Sequence, residues 1–194
     1  VKKGSVYLEN DKRERKASGS YYTPDYIVEY IVEHAVGPVL AEKFDKMRPK
    51  LRAAQAERKA FFEKQKGLAA RGIRPDVASK ADRIGEEAVE ELFDVKVLDP
   101  AMGSGHFLVE AVDFITDRML NFLNAFPWNP VQAHLKRTRD TILAEAEVQG
   151  VTLDPAKLTD VNLLKRHVLK RCIYGVDLNP MAVELAKVSL WLDC

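Results

Sequence analysis

Apolar residues recur along this chain at two different spacings, and the spacings mark its elements. Ile27, Val28, Ile31, Val32, Ala35 and Val36 recur three and four positions apart, as on a helix with one buried face. Thr23 followed by Pro24 predicts where that helix starts, with a threonine cap and a proline at the first helical position. Gly37-Pro38 predicts an interruption. A charged helical stretch follows from 39 to about 66, in which Leu40, Phe44, Met47, Leu51, Ala54 and Phe61 keep a three-four repeat that Arg58 breaks. Pro49 predicts a break or kink near Arg48, so the stretch reads as two helices or one bent arm, able to pack as a hairpin. Residues 67–75 read as a loop and 77–93 as a further amphipathic helix. Residues 1–19 are polar apart from Val6, Tyr7 and Leu8, which suit a short strand.

The pattern changes at Val95. A short apolar run of Val95, Val97 and Leu98 ends in Asp99-Pro100. The turn Gly103-Ser104-Gly105 follows, and then Phe107, Leu108, Ala111, Val112, Phe114 and Ile115 return to helical spacing as far as about Ala125. Pro127-Trp128-Asn129-Pro130 stops that helix. Residues 131–149 and 156–171 read as two more helices, with Thr159 as an alternative, later start for the second. A second apolar run, Cys172 to Val176, ends in Asp177, and Leu178-Asn179-Pro180 opens a helix carrying Met181, Ala182, Leu185, Ala186, Val188, Leu190 and Trp191. Strand, turn and helix therefore occur twice, and each strand ends in an acid.

That repetition points to a ligand. Glycines at 103 and 105 let backbone approach a bound molecule closely, and the N–H groups opening the next helix face the turn. An acid at the strand end adds nothing to a site made only for phosphates, so the ligand is expected to carry a cation as well. In a doubly wound sheet a ligand crosses the carboxyl ends of adjacent strands, where a second acid commonly grips ribose hydroxyls. Asp177 suits that role. The usual separation is about 20 residues, so a helical insertion of roughly 121–170 must lie between Asp99 and Asp177. A dinucleotide loop of the Gly-x-Gly-x-x-Gly kind is not matched, because Leu108 stands where the third glycine belongs.

Composition narrows the classes. At 194 residues with 46% hydrophobic and 30% charged residues, the chain suits one packed domain or a large piece of one. A formal net charge of +1 does not advertise nucleic-acid binding by charge alone. Cys172 and Cys194 give neither a disulfide framework nor metal-ligand spacing, and no metal site is expected. No membrane-spanning run or signal peptide is visible, so a cytoplasmic protein is expected. The chain starts at Val1 and stops at Cys194 inside an apolar periodic stretch, so further sequence is expected at both ends. Lys46, Lys50, Arg52, Arg58 and Lys59 could touch a phosphate backbone; a solvated face balanced by Glu42, Asp45, Glu57 and Glu63 is the favoured reading.

Three segments together, 19–24 (GSYYTP), 99–108 (DPAMGSGHFL) and 175–190 (GVDLNPMAVELAKVSL), resemble the N6-adenine DNA methyltransferases, in particular the group found in type IIG restriction-modification and phage-defence systems. The resemblance covers 6–36 and 95–194, while 40–90 carries no motif. It implies an α/β, Rossmann-like S-adenosylmethionine-dependent core, truncated, with a large helical N-terminal region at 1–94. Residues 95–194 would form the first part of the methyltransferase domain, continuing past the chain end. It implies S-adenosyl-L-methionine as cofactor and DNA as partner in the full protein, with methyl transfer to the exocyclic amine of a flipped adenine. Tyr22, Thr23 and Pro24 would help hold the methionine end. Asp99 would pair with the ammonium, within the loop of Asp99, Pro100, Ala101, Gly103, Ser104 and Gly105. The carboxylate would sit near Thr23 and the turn amides, Asp177 would take the ribose, and Leu178 with Phe107 would lie near the adenine.

Plainer roles stand beside these. Asp99-Pro100 suits a simple turn, Asp177 a helix cap and Thr23 an N-cap, and His106 suits surface or packing. His34, His134 and His167 lack partners at catalytic spacing, Trp128 and Trp191 suit packing, and Cys172 suits a buried thiol. The family's Asn/Asp-Pro-Pro-Tyr/Phe motif is missing, since Asn129-Pro130-Val131 and Asn179-Pro180-Met181 do not continue as Pro-aromatic. No catalytic residue is therefore assigned, and the chain alone is expected to be inactive. Mostly helical structure with two strands is expected, leaving an unpaired sheet edge open to self-association. The rival readings are a methyltransferase of another substrate and a non-catalytic helical interaction module with a vestigial cofactor fold.

Overall fold

A computed structural model describes residues 23–70, 80–154 and 158–193. Val6 to Leu8, Tyr22, the loop expected at 71–75 and Cys194 lie outside the described residues. Among the described residues the chain forms six helices and two short strands, the mostly helical structure that the periodicity predicts.

Helix α1 (Asp25–Ala70) is continuous and includes Pro38 and Pro49. Neither the interruption expected at Gly37-Pro38 nor two separate helices is found, and 67–70 is helix, not loop. The reason lies in the buried stripe of Val28, Val32, Val36, Leu40, Phe44, Met47, Leu51 and Ala54, which runs unbroken past both prolines. Each proline removes one backbone hydrogen bond, and the stripe packed against the rest of the fold outweighs that loss. The helix starts one residue later than the threonine-cap reading has it. The Pro24 carbonyl accepts from the N–H groups of Ile27 (2.9 Å) and Val28 (3.2 Å), so Pro24, not Thr23, stands at the cap.

Helix α2 (Lys80–Leu92) packs along α1 and leads into β1 (Val97–Asp99). Lys43 donates to the Asp94 carbonyl at 2.8 Å, and Lys50 pairs with Glu91 at 2.6 Å. Helix α3 (His106–Asn124) follows the glycine-rich turn and ends within a residue of its predicted stop. Helix α4 (Pro130–Val148) is capped by buried Asn129, whose Oδ1 accepts from Gln132 N at 2.9 Å while Nδ2 donates to the Leu123 carbonyl. Helix α5 (Asp160–Cys172) takes the later of the two predicted starts, with Thr159 as its cap. Strand β2 (Ile173–Gly175) and helix α6 (Pro180–Leu192) complete the order.

The two strands are parallel, pairing Val97 with Ile173, Leu98 with Tyr174 and Asp99 with Gly175. Helices α3, α4 and α5 lie between the two strands in the chain, and α4 with most of α5 falls in the stretch of roughly 121–170 read as an insertion. One continuous core joins Val28 to Leu51 of α1, Leu92 and Phe93, Val112, Ile115 and Met119 of α3, Val131 and Leu135 of α4, and Leu164, Val168 and Cys172 of α5. Cys172 is fully buried and its thiol donates to the Phe93 carbonyl; burial pushes that thiol up from its ordinary pKa. Trp128 packs through its ring on the Arg58 guanidinium, which also stacks on Phe62. That double stacking explains the break in the apolar repeat at 58. Trp191 does not pack as expected: it is 74% exposed, because α6 turns Ala186 and Leu190 toward the core and Trp191 lies off that face. No helix of the described residues is long and apolar enough to cross a membrane.

Candidate functional site

The register of the two strands sets the site. In parallel strands about 4.8 Å apart, pairing Asp99 with Gly175 places Asp177, two residues past that partner, at the same carboxyl edge as Asp99. The turn between β1 and α3 is bonded to the end of β2. Val176 N donates to the Asp99 carbonyl (2.9 Å), and Met102 N donates to the Val176 carbonyl (3.0 Å). A crevice with two acids and a glycine-rich wall results.

Within it, Asp99 Oδ1 accepts from Ala101 N at 3.0 Å, bracing the turn after the strand. The Asp177 carboxylate is used twice. Oδ1 accepts from Asn179 N at 2.7 Å and Oδ2 from Gly103 N at 2.9 Å, which ties the turn to β2 across the sheet. The Asn179 N–H first, and then that of Gly103, hold the Asp177 carboxyl below the ordinary aspartate pKa. Asn179 in turn caps α6, its Oδ1 accepting from Met181 N at 3.0 Å. Asp177 thus serves the turn as well as the helix start.

The two turn glycines differ. Gly105 lies at φ +86°, and a Cβ there would stand 3.1 Å from the Ala186 Cβ, so α6 packs directly on its backbone. Gly103 lies at φ +54° with nothing within 4 Å of the place a Cβ would take. The first glycine is demanded by packing; the second leaves open space at the crevice. Gly105 N donates to the Met102 carbonyl at 2.8 Å. The amides of Gly103 and Gly105, which the resemblance offers to a ligand carboxylate, are therefore engaged within the chain.

His106 Nε2 stands 3.1 Å from Asp25 Oδ1, joining the first residue of α3 to the first residue of α1. This contact brings the entry of α1, with half-buried Thr23 and exposed Pro24, beside the glycine-rich turn. Of the predicted site residues, Asp99, Pro100, Ala101, Gly103, Ser104, Gly105 and Asp177 are brought together, and Thr23 and Pro24 are linked to them through His106. Tyr22 lies outside the described residues. Leu178 is fully exposed beside Asp177, whereas Phe107 packs partly against the core.

Two features of the site were carried by weaker signals. Gly175 has no room for a side chain: a Cβ would fall 2.2 Å from Met102 Sδ and 2.7 Å from Leu108 Cδ1. A glycine inside a strand is the usual mark of such close approach. Gly175→Ala should displace Met102 and cost about 1–3 kcal/mol of stability, measured by urea denaturation. The second feature, the bond from Gly103 to Asp177, joins residues far apart in the chain and leaves no local trace.

The remaining candidates are structural. His134 and His167 lie 5.4 Å apart between α4 and α5, and burial is the main reason both imidazoles are lowered from their ordinary pKa. His34 stacks on Tyr30. On the α1 arm Lys46 pairs with Glu42, as the solvated-face reading has it, whereas Lys50 pairs with Glu91 of α2 and Arg58 stacks on Phe62 and Trp128. No group of three or more His, Cys, Asp or Glu able to hold a metal occurs among the described residues.

The acid tie gives a pH dependence. Because the Asp177 pKa is depressed on folding, its stabilising contribution is complete above the unfolded value and is lost as pH falls through the folded one. The urea midpoints of the wild type and Asp177→Asn should keep a constant gap from neutral pH down to about 4, near the ordinary aspartate range, and converge below it. A gap that persists unchanged in stronger acid would contradict this role for the carboxylate.

Comparison with known proteins bears on this arrangement. The chain is 25% identical over 184 residues to a Methanocaldococcus jannaschii protein whose name describes a type II restriction enzyme and methyltransferase, covering 92% of this chain and 12% of that protein. It is 34% identical over 98 residues to the adenine-specific methyltransferase PglX of Lacticaseibacillus casei, covering 48% of this chain and 7% of that protein. It is 27% identical over 190 residues to the adenine-specific methyltransferase BrxX of Escherichia coli O9:H4, covering 90% and 13%. The chain thus spans about an eighth or less of the length of these relatives. No family model matches it, and no solved structure matches it. The resemblance to adenine-specific methyltransferases and restriction-modification enzymes, read from three short segments, is borne out by these relatives, two of which align across most of the chain.

Proposed function

We propose that this chain is the S-adenosyl-L-methionine-binding part of a DNA adenine N6-methyltransferase of a restriction-modification or related defence system. The observation that carries the proposal is that Asp99 ends one parallel strand and Asp177 follows the end of its neighbour, with Asp177 bonded to the glycine-rich turn after the first strand. Similarity to adenine-specific methyltransferases supports the choice of ligand and substrate. In this reading the fold is the beginning of a Rossmann-like sheet. The described helices at 25–70 and 80–92 would belong to an N-terminal region of 1–94, and 95–194 would be the first part of the methyltransferase domain. Leu98 and Tyr174, 60% and 47% exposed, lie on the surface that further elements, or a second copy, would cover.

S-Adenosylmethionine has an ammonium, a carboxylate, a sulfonium and a ribose but no phosphate, and the residues present suit that set. Asp99 offers a carboxylate oxygen beyond the one bound to Ala101, suited to an ammonium by a charge-assisted hydrogen bond. Asp177 can accept from ribose hydroxyls while keeping its backbone donors. Open space at Gly103 admits the ligand against the backbone. With both glycine amides engaged, the ligand carboxylate is left to Thr23 and the entry of α1. Bound cofactor would supply the transferable methyl group; the chain's residues bind and orient it.

Hydrogen exchange with S-adenosylhomocysteine tests the placement. Added ligand should slow exchange at 99–106 and 177–181 and leave 130–150 unchanged. Protection confined to any other segment would refute this site.

A further inference from the structure

We propose that Lys165 is a positioning residue for the crevice, holding helix α6, and with it Asp177, against the glycine-rich turn. The crevice's role as a cofactor site rests on the reading above; the anchoring of α6 does not.

Helix α6 is poorly held by apolar packing. Of its side chains only Ala186 is buried and Leu190 packs on the core, while Met181, Leu185, Val188, Trp191 and Leu192 are exposed. Its start is fixed by Asn179 and Asp177, and its middle touches the Gly105 backbone through Ala186. Its far end is fixed by charge. Lys165 Nζ, on α5, lies 2.8 Å from Asp193 Oδ2 at the end of α6 and 2.6 Å from Asp113 Oδ1 on α3. The Lys165 side chain is only 15% exposed, less than any other cation paired to a carboxylate among the described residues.

The electrostatics give this triad a direction. A carboxylate at a helix C-terminus meets the negative end of the helix dipole and is disfavoured there. Asp193 occupies that position, as the C-cap of α6. Burial alone would lower the Lys165 ammonium, but its close pairing with Asp113 and Asp193 outweighs that and holds its pKa above the ordinary lysine value. Lys165 therefore stays charged and draws both acids to one point. Without it, two carboxylates converge unpaired, and the end of α6 loses its polar anchor. The helix is about 20 Å long and contacts Gly105 midway, so release of one end tilts the other, which begins three residues after Asp177.

Hydrogen exchange on residues 1–194 tests this with Lys165→Met, Lys165→Arg and Asp193→Asn. In Lys165→Met, exchange at 183–192 should speed up at least tenfold and exchange at Gly103 should rise with it, while 28–51 and 111–119 stay as in wild type. S-Adenosylhomocysteine should bind at least fivefold more weakly. Lys165→Arg keeps the charge and should restore both readouts to within about threefold. Asp193→Asn, which removes one of the two converging acids, should loosen α6 selectively even if Lys165→Met fails to fold. Unchanged exchange in α6, loosening spread evenly over α1 and α3, or an Arg variant as impaired as Met would overturn the proposal. Wild-type protein that binds no S-adenosylhomocysteine, with selective loosening of α6 and Gly103 in Lys165→Met, would remove the cofactor reading and leave the anchoring established.

Discussion

Asp177→Ala is expected to weaken S-adenosylmethionine binding by roughly 5- to 150-fold, and Asp99→Ala by a similar factor, the range for a shielded hydrogen bond to a charged group. The two losses have different origins. In the proposed site Asp99 would supply its charge to the ligand, while its Oδ1 braces the turn at Ala101. Asp177 would act on both sides, accepting from the ligand and tying Gly103 to the segment after β2 through a 2.9 Å bond. Asp177→Ala should therefore also loosen the turn without ligand, and Asp99→Ala should do so less. Titration calorimetry on both variants measures the affinities, and hydrogen exchange at Gly103 separates the two effects. Unchanged affinity in both variants would send the site elsewhere.

The second large effect is an absence. Residues 1–194 should transfer no methyl group to adenine in duplex or single-stranded DNA. The family motif Asn/Asp-Pro-Pro-Tyr/Phe would accept hydrogen bonds from the adenine amine and stack on the flipped base. Neither Asn-Pro of this chain does that work. Asn129 is buried as the cap of α4, with Oδ1 and Nδ2 both engaged, and Asn179 caps α6. In the proposed reading the methyl donor's site and the adenine's site are separate, and this chain carries residues suited to the first. Tritiated methyl transfer checks this, with the full-length Escherichia coli relative as positive control. Turnover by 1–194 alone would show that another group completes the acceptor site.

How much of this was legible in the sequence depended on how local each cause is. The helices after Asn129, Thr159 and Asn179 were readable because a cap and its bonded amide lie two or three residues apart. The end of β1 was readable because an acid and a glycine turn punctuate it, whereas β2 stops at Gly175, two residues short of the acid expected to end it. The continuity of α1 was not, since propensity at Gly37, Pro38 and Pro49 argues locally for breaks. What overrides it is contact of Val36, Leu40, Phe44 and Met47 with helices far along the chain. The exposure of Trp191 was hidden for the same reason: helical spacing says which residues share a face, and not whether anything covers it. The Asp177 to Gly103 bond and the Lys165 triad each join elements distant in sequence, and no pattern in either segment announces the other.

The central claim is that the paired acids and the glycine-rich turn form an S-adenosylmethionine site. Titration calorimetry of the wild-type chain with S-adenosylhomocysteine and, separately, with NAD tests it most directly. Saturable binding of one S-adenosylhomocysteine per chain, with no heat from NAD, is the predicted result. Binding of NAD in its place, or of neither ligand, would contradict it.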